Sequence, residues 1–199
     1  TRCVFGIDFG ASEGEGETVV VVMRGDSIVD VQAWHEPDTN VTEEKIYALA
    51  QRYRPRLVKA DSTGIGKPIC AHLRIGSPTR DNGPKHSALP ILPIDFAALP
   101  NDPVHYLDKR AELYFSASIR IREGRLSGLK NDVLKAQLSP HQWQEAERGK
   151  IRVMGKKEMK NLNMRWDHAD AFVIAASEDD HGGPIGSGGA KPAAAAARW

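Results

Sequence analysis

The sequence predicts an α/β protein built on one sheet with helices packed against it. Short apolar, β-branched runs alternate with segments of helical period, and Gly, Pro, Asn and Asp punctuate the joints. The 199 residues, 41% hydrophobic and 27% charged, suffice for one domain with a full core.

Residues 2–9 (RCVFGIDF) and 18–23 (TVVVVM) are apolar runs, and Arg24-Gly25-Asp26-Ser27 makes a turn into a third run at 28–34. This predicts three consecutive strands, the last two a hairpin. Asn40-Val41-Thr42-Glu43 has the pattern of a helix cap with an acid at its third position. Ile46, Leu49 and Ala50 continue it at helical spacing until Pro55. A strand follows at 56–61, then a helix at 65–74 and a Pro-punctuated strand at 89–95. Asp102-Pro103 reads as a cap and first-turn proline opening a helix to Glu123.

The stretch 126–160 is more polar. It predicts a helix at 140–148 and a short strand at 150–154. Residues 167–177 (DHADAFVIAAS) begin with an acidic turn and continue as an apolar helix suited to docking on a sheet. Residues 178–199 are rich in Gly, Ala, Ser and Pro, with too little apolar surface to offset their ordering entropy. The folded unit is therefore expected over 1–177, with a flexible tail over 178–199.

A formal net charge of +1 gives the chain no global polyelectrolyte character, so any nucleic-acid surface must be local. The two cysteines, Cys3 and Cys70, lack zinc-site spacing and are expected as free thiols in a reducing compartment. No run of about 18 apolar residues exists to span a bilayer. Thr1, with an apolar run directly behind it, reads as the start of a piece of a longer chain.

The chemistry lies in aspartates at element ends. Asp8 closes the first strand in GIDFGAS, and Asp61 closes the strand in VKADSTGIG. Adjacent strands lie about 4.8 Å apart, so two strand-end carboxylates can meet. In open sheets, ligands gather beyond such carboxyl ends. Asp167 and Asp170, three apart, share one face at the start of the last helix. Each aspartate alone also reads as a turn or helix cap. Three segments offering carboxylates together make the oxygen ligand set of Mg2+ or Mn2+. Two such ions would suit in-line displacement at a phosphodiester.

The motif order GIDFGASEGEGETVVVV, VKADSTGIGKPICAHL, YLDKRAELYF, GKKEMK and WDHADAFVIA resembles the nuclease domain of bacteriophage large terminase subunits, over residues 5–176. The resemblance implies a ribonuclease-H-like mixed sheet with helices on both faces, and metal-dependent cleavage of concatemeric double-stranded viral DNA in the host cell cytoplasm. It implies Asp8, Asp61 and Asp167 as catalytic metal ligands, with Asp170 as a fourth, and two ions as cofactors. It also implies an upstream ATPase motor domain, a portal and a small terminase subunit as partners. Three positions depart from the family pattern: Arg165-Trp166 replaces a common Ser-Pro, Glu17 a common Asp, and Asp108 a common Asn.

Lys156, Lys157, Lys160 and Arg165, with Lys150 and Arg152 nearby, form the densest basic stretch and are expected to contact DNA phosphates, although a solvated helix face fits them equally. Arg120, Arg122 and Arg125 form a second basic group. His168 reads as a packing or solvent residue. Gly64-Ile65-Gly66-Lys67-Pro68 lacks the spacing and hydroxyl of a nucleotide phosphate loop. The competing readings are an actin-like ATPase, suggested by GIDFGAS but requiring a longer chain, a Holliday-junction-resolvase-like nuclease, and a catalytically silent domain that docks DNA or a partner.

Overall fold

The first two apolar runs form the expected strands because they alternate between two buried faces, and the third, only partly buried, forms a sheet edge. In this computed structural model, which describes residues 2–10, 16–76, 85–140 and 143–178, β1 (Cys3–Asp8), β2 (Thr18–Arg24) and β3 (Ser27–Trp34) are antiparallel neighbours. Gly25, at φ 58°, makes the hairpin turn that a side chain would strain. β4 (Leu57–Asp61) then pairs parallel with β1, and β5 (Ile91–Ile94) parallel with β4. The order β3-β2-β1-β4-β5 makes a mixed five-stranded sheet.

The period-two alternation divides the core. Phe5, Ile7, Val20, Val22, Val58 and Ala60 pack on one face with α1 (Thr39–Tyr53) and α2 (Gly66–Ile75). Val19, Val21 and Met23 pack on the other with α3 (Lys109–Arg122), α4 (Asp132–Leu138) and α6 (Asp167–Ala176). Helices therefore cover both faces, as expected. α6 is buried along its whole length, and it crosses β1 at Gly6. A Cβ there would lie 2.2 Å from the Ala171 carbonyl oxygen and 2.4 Å from the Ala175 nitrogen. Only glycine lets helix and strand backbones approach this closely. The far end of α6 is fastened by buried cations: Arg120 donates to the Ala176 carbonyl, and Lys59 to the Ser177 carbonyl. Each complements the negative end of the helix.

Several expectations are corrected. α1 starts at Thr39 with Asp38 as its cap, because the Asp38 carboxylate accepts the Asn40 N–H. The helix expected from Asp102 starts at Lys109, capped by Asp108. Asp102 instead closes a turn, accepting the N–H groups of Val104 and His105, while Glu112 reaches back to the N–H groups of Asn101 and Asp102. Where a helix was expected at 140–148, β6 (Trp143–Glu145) pairs antiparallel with β7 (Ile151–Val153). Trp143 packs against the cluster of Tyr106, Phe115 and Ile151, a partner that local period does not reveal. α4 and α5 (Lys156–Asn161) have no counterpart in the sequence reading. Arg120 is buried under α6 and not on a basic surface. The tail expected at 178–199 falls, beyond Glu178, outside the described residues. Among those described, no helix is long and apolar enough to cross a membrane.

Candidate active site

Asp8 and Asp61 stand side by side. The parallel register sets Ile7 against Ala60, so the next residues, Asp8 and Asp61, end their strands together on the face covered by α6. Both are buried, as are Asp167 and Asp170 in the first turn of α6. Because α6 rests on β1, its amino end brings this turn to the strand ends.

A cation already stands among three of them. The Lys156 ammonium lies 3.2 Å from Asp170 Oδ2, 3.5 Å from Asp61 Oδ2 and 3.8 Å from Asp8 Oδ1. Lys156 begins α5, and so its head group enters the carboxylate cluster while Lys157 and Lys160 remain exposed. Arg165, partly exposed, pairs with Asp167 at 2.8 Å and Glu17 at 3.9 Å.

Asp170 is held from below. Its Oδ1 accepts a hydrogen bond from the Tyr114 hydroxyl at 2.6 Å and pairs with Arg110 at 2.8 Å, while its Oδ2 accepts from Arg110 Nη1 at 2.9 Å. The Arg110 guanidinium sits 5.2 Å from the Phe96 ring centroid, and the Lys156 ammonium 5.6 Å from the same ring. Asp61 Oδ1 accepts from the Thr63 N–H and hydroxyl, which fixes its rotamer.

The charges are unevenly compensated. Burial pushes the Asp8 carboxyl well above the ordinary carboxylate range; Lys156 opposes this, and the negative Asp170, Asp61 and Asp167 add to it. Burial would raise Asp170 too, but Arg110, Lys156 and the Tyr114 hydroxyl outweigh it and hold the carboxyl low. For Lys156, the attraction of Asp170, Asp8 and Asp61 exceeds the opposing effect of burial, so the ammonium stays charged.

The donor set fits a hard divalent cation: buried carboxylate oxygens from three elements, surplus negative charge, and an ammonium supplying the positive charge. Among the described residues no three such side chains stand ready-placed to hold an ion.

The sequence reading missed three supports. Gln137 of α4 accepts the N–H groups of His168 and Ala169 at 2.8 and 3.3 Å, capping α6 from another helix. His168, expected to pack or face solvent, is buried against Gln137, and burial lowers its pKa. Arg110 and Tyr114 lie in YLDKRAELYF, four apart on one helix face, but nothing local says what they hold. Lys156 was assigned to phosphate contact; the only signal of another role was its place directly after Gly155, at a helix start.

No protein-family model and no curated protein matches the chain. Solved structures do. The nuclease domain of the large terminase subunit gp2 of bacterial virus Sf6 aligns with TM-score 0.72 at 16% identity, covering 89% of this chain and 88% of that one. Its form with manganese and beta-thujaplicinol gives 0.72 at 15%, with the same coverage. The large terminase nuclease from thermophilic phage G20c with bound magnesium gives 0.65 at 14%, covering 89% and 81%. At these identities the likeness is one of fold, and the fold is ribonuclease-H-like.

Proposed function

We propose that this chain is the nuclease domain of a phage DNA-packaging terminase, an endonuclease that hydrolyses concatemeric double-stranded DNA with Mg2+ or Mn2+, two ions being expected, in the host cytoplasm. The observation that carries the reading is the convergence of Asp8, Asp61 and Asp170 on one cation, with Asp167 in the same helical turn. The metal-bound Sf6 and G20c nuclease structures of the same fold support it.

Asp8, Asp61 and Asp167 would hold the ions, with Asp170 beside them. Bound ions would supply Lewis acidity at the phosphate and lower the pKa of attacking water. The chain's own residues do the rest. Lys156 neutralises the cluster until an ion enters, and must then withdraw its ammonium. Asp61, fixed by Thr63, keeps Oδ2 turned toward the cluster. Arg165 exchanges Asp167 for a backbone phosphate, which frees that carboxylate as DNA arrives. Lys157 and Lys160 add exposed charge for phosphate contact. A motor domain, portal and small subunit complete the assembly under this reading.

The test is cleavage of supercoiled plasmid by the purified domain with Mn2+, Mg2+ or EDTA, comparing wild type with Asp61→Asn. Metal-dependent nicking and linearisation lost in the variant supports a nuclease. No cleavage points to a docking domain, and cleavage indifferent to the variant points to a contaminating nuclease. Preference for four-way junctions over linear duplex points to a resolvase.

A further inference from the structure

The last helix starts without a cap of its own. A helix leaves its first N–H groups without intrahelical acceptors, and a side-chain oxygen on the residue before the first turn ordinarily takes those of the second and third positions. In α6 that residue is Trp166, whose indole carries no acceptor, and the Asp170 N–H is given to the Trp166 carbonyl at 2.8 Å. The open N–H groups of His168 and Ala169 are both accepted by Gln137 Oε1, at 2.8 and 3.3 Å. Gln137 is buried on α4 beside the core residues Leu134 and Leu138. Its Nε2 lies 3.4 Å from His168 Nδ1, an acceptor that keeps the amide from turning over. The acceptors nearest in the chain would have been Asp167 and Asp170 themselves. Among the described residues neither accepts from the α6 backbone: the Asp167 carboxylate pairs with Arg165, and that of Asp170 with Lys156, Arg110 and Tyr114.

We propose that Gln137 is a positioning residue for the carboxylate cluster: by capping α6 from α4, it keeps Asp167 and Asp170 off their own helix backbone and turned toward the ends of β1 and β4. The inference rests on the nuclease reading above, and both aspartates stay in the cluster. Without the Gln137 oxygen, two buried N–H groups would draw the closest free carboxylate. Asp170 is restrained by three donors. Asp167, whose partner Arg165 is exposed, is therefore the side chain that would turn back onto the helix and away from an ion.

The experiment measures Mn2+ affinity by titration calorimetry, thermal melting in EDTA, and plasmid nicking at saturating Mn2+. The variants are Gln137→Met, which keeps the length and loses the acceptor, Gln137→Glu, which keeps an acceptor, and Asp61→Asn as the control for a lost ligand. Well below its melting temperature, Gln137→Met is expected to bind Mn2+ about tenfold more weakly and to lower kcat about tenfold with KM for DNA unchanged, while Gln137→Glu stays within about threefold of wild type. A cap that served stability alone would lower the melting temperature and leave both other readouts, so a folded Gln137→Met with affinity and kcat within about threefold of wild type overturns the proposal. Equal losses in Gln137→Met and Gln137→Glu overturn it too, since the acceptor would then not be what matters. If Gln137→Met does not fold, Gln137→Asn, which holds the same amide one methylene short, is measured against the same thresholds. Wild type that binds no Mn2+, or Asp61→Asn that binds it as wild type does, overturns the nuclease reading and this inference with it. Where both of those controls hold, failure in the Gln137 variants counts against the positioning role alone.

Discussion

The ammonium of Lys156 lies 3.2 Å from Asp170 Oδ2, and the same nitrogen lies within 3.8 Å of Asp61 and Asp8, which end two adjacent parallel strands. One residue from a short peripheral helix thus supplies the counter-charge for carboxylates that the sheet and α6 force together.

Lys156→Ala is expected to destabilise the metal-free domain, because the carboxylates it faces are left to repel one another in a buried site. Added Mn2+ should then raise the melting temperature more in the variant than in wild type. Melting curves in EDTA and in Mn2+ check this; equal Mn2+ shifts would mean that lysine and metal do not share the cluster.

Asp8→Asn is expected to stabilise the metal-free domain while abolishing nicking. The folded-state pKa of Asp8 is raised, so its contribution to stability is fully present below the unfolded carboxyl pKa and is lost as pH rises through the folded value. The advantage of the asparagine should therefore be small near pH 4 and grow toward neutrality. The negative Asp170, Asp61 and Asp167 all act on Asp8, so the rise should be broad. A stability difference independent of pH in urea titrations would contradict this.

Gln137→Ala leaves two N–H groups of α6 without their acceptor. The expected loss is about 1 kcal/mol, or about 2–4 °C in melting temperature for a chain of this size. Gln137→Glu, which keeps the acceptor and adds a negative charge at the positive helix end, should lose less. Equal losses would show that the cap contributes nothing.

Gly6→Ala is expected to cost more than an ordinary overpacking change of about 1–3 kcal/mol, because the added carbon meets backbone atoms of α6 at 2.2 and 2.4 Å and neither can rotate away. Denaturant unfolding or loss of soluble expression would register it. Wild-type stability would mean that α6 does not lie on β1 at this point.

Cys70 should resist alkylation in the native domain. Burial, with the negative charge of Asp61 adding to it, pushes its thiol up to about 12, and Cys3 is raised by burial as well. Iodoacetamide at pH 8 should label both only after unfolding; fast native labelling would place them at the surface.

The aspartates were legible because strand alternation and a helix start are local patterns. The hydrophobic residues on either side of Asp8 and Asp61 fix which face each carboxylate takes, and DHADAFVIAAS announces its own helix. The hairpin of β6 and β7 was not legible, because Trp143 and Val153 acquire their conformation from each other and from Tyr106 and Phe115, far away in sequence. The start of α3 was misplaced because Asp102-Pro103 and Asp108 are both sound caps locally, and only the reach of Glu112 back to Asn101 and Asp102 selects the second.

By itself, then, the sequence determined the α/β class, the free cysteines, the two strand-end carboxylates and the acidic helix start, since each is written in spacings of two to four residues. Tertiary structure alone decided that Lys156 enters the cluster, that Arg110 and Tyr114 hold Asp170, and that Gln137 caps α6. Those choices join residues 14 to 148 positions apart. They depend on which buried charge finds a partner once the core has closed, a balance of desolvation and pairing that no short stretch of sequence contains.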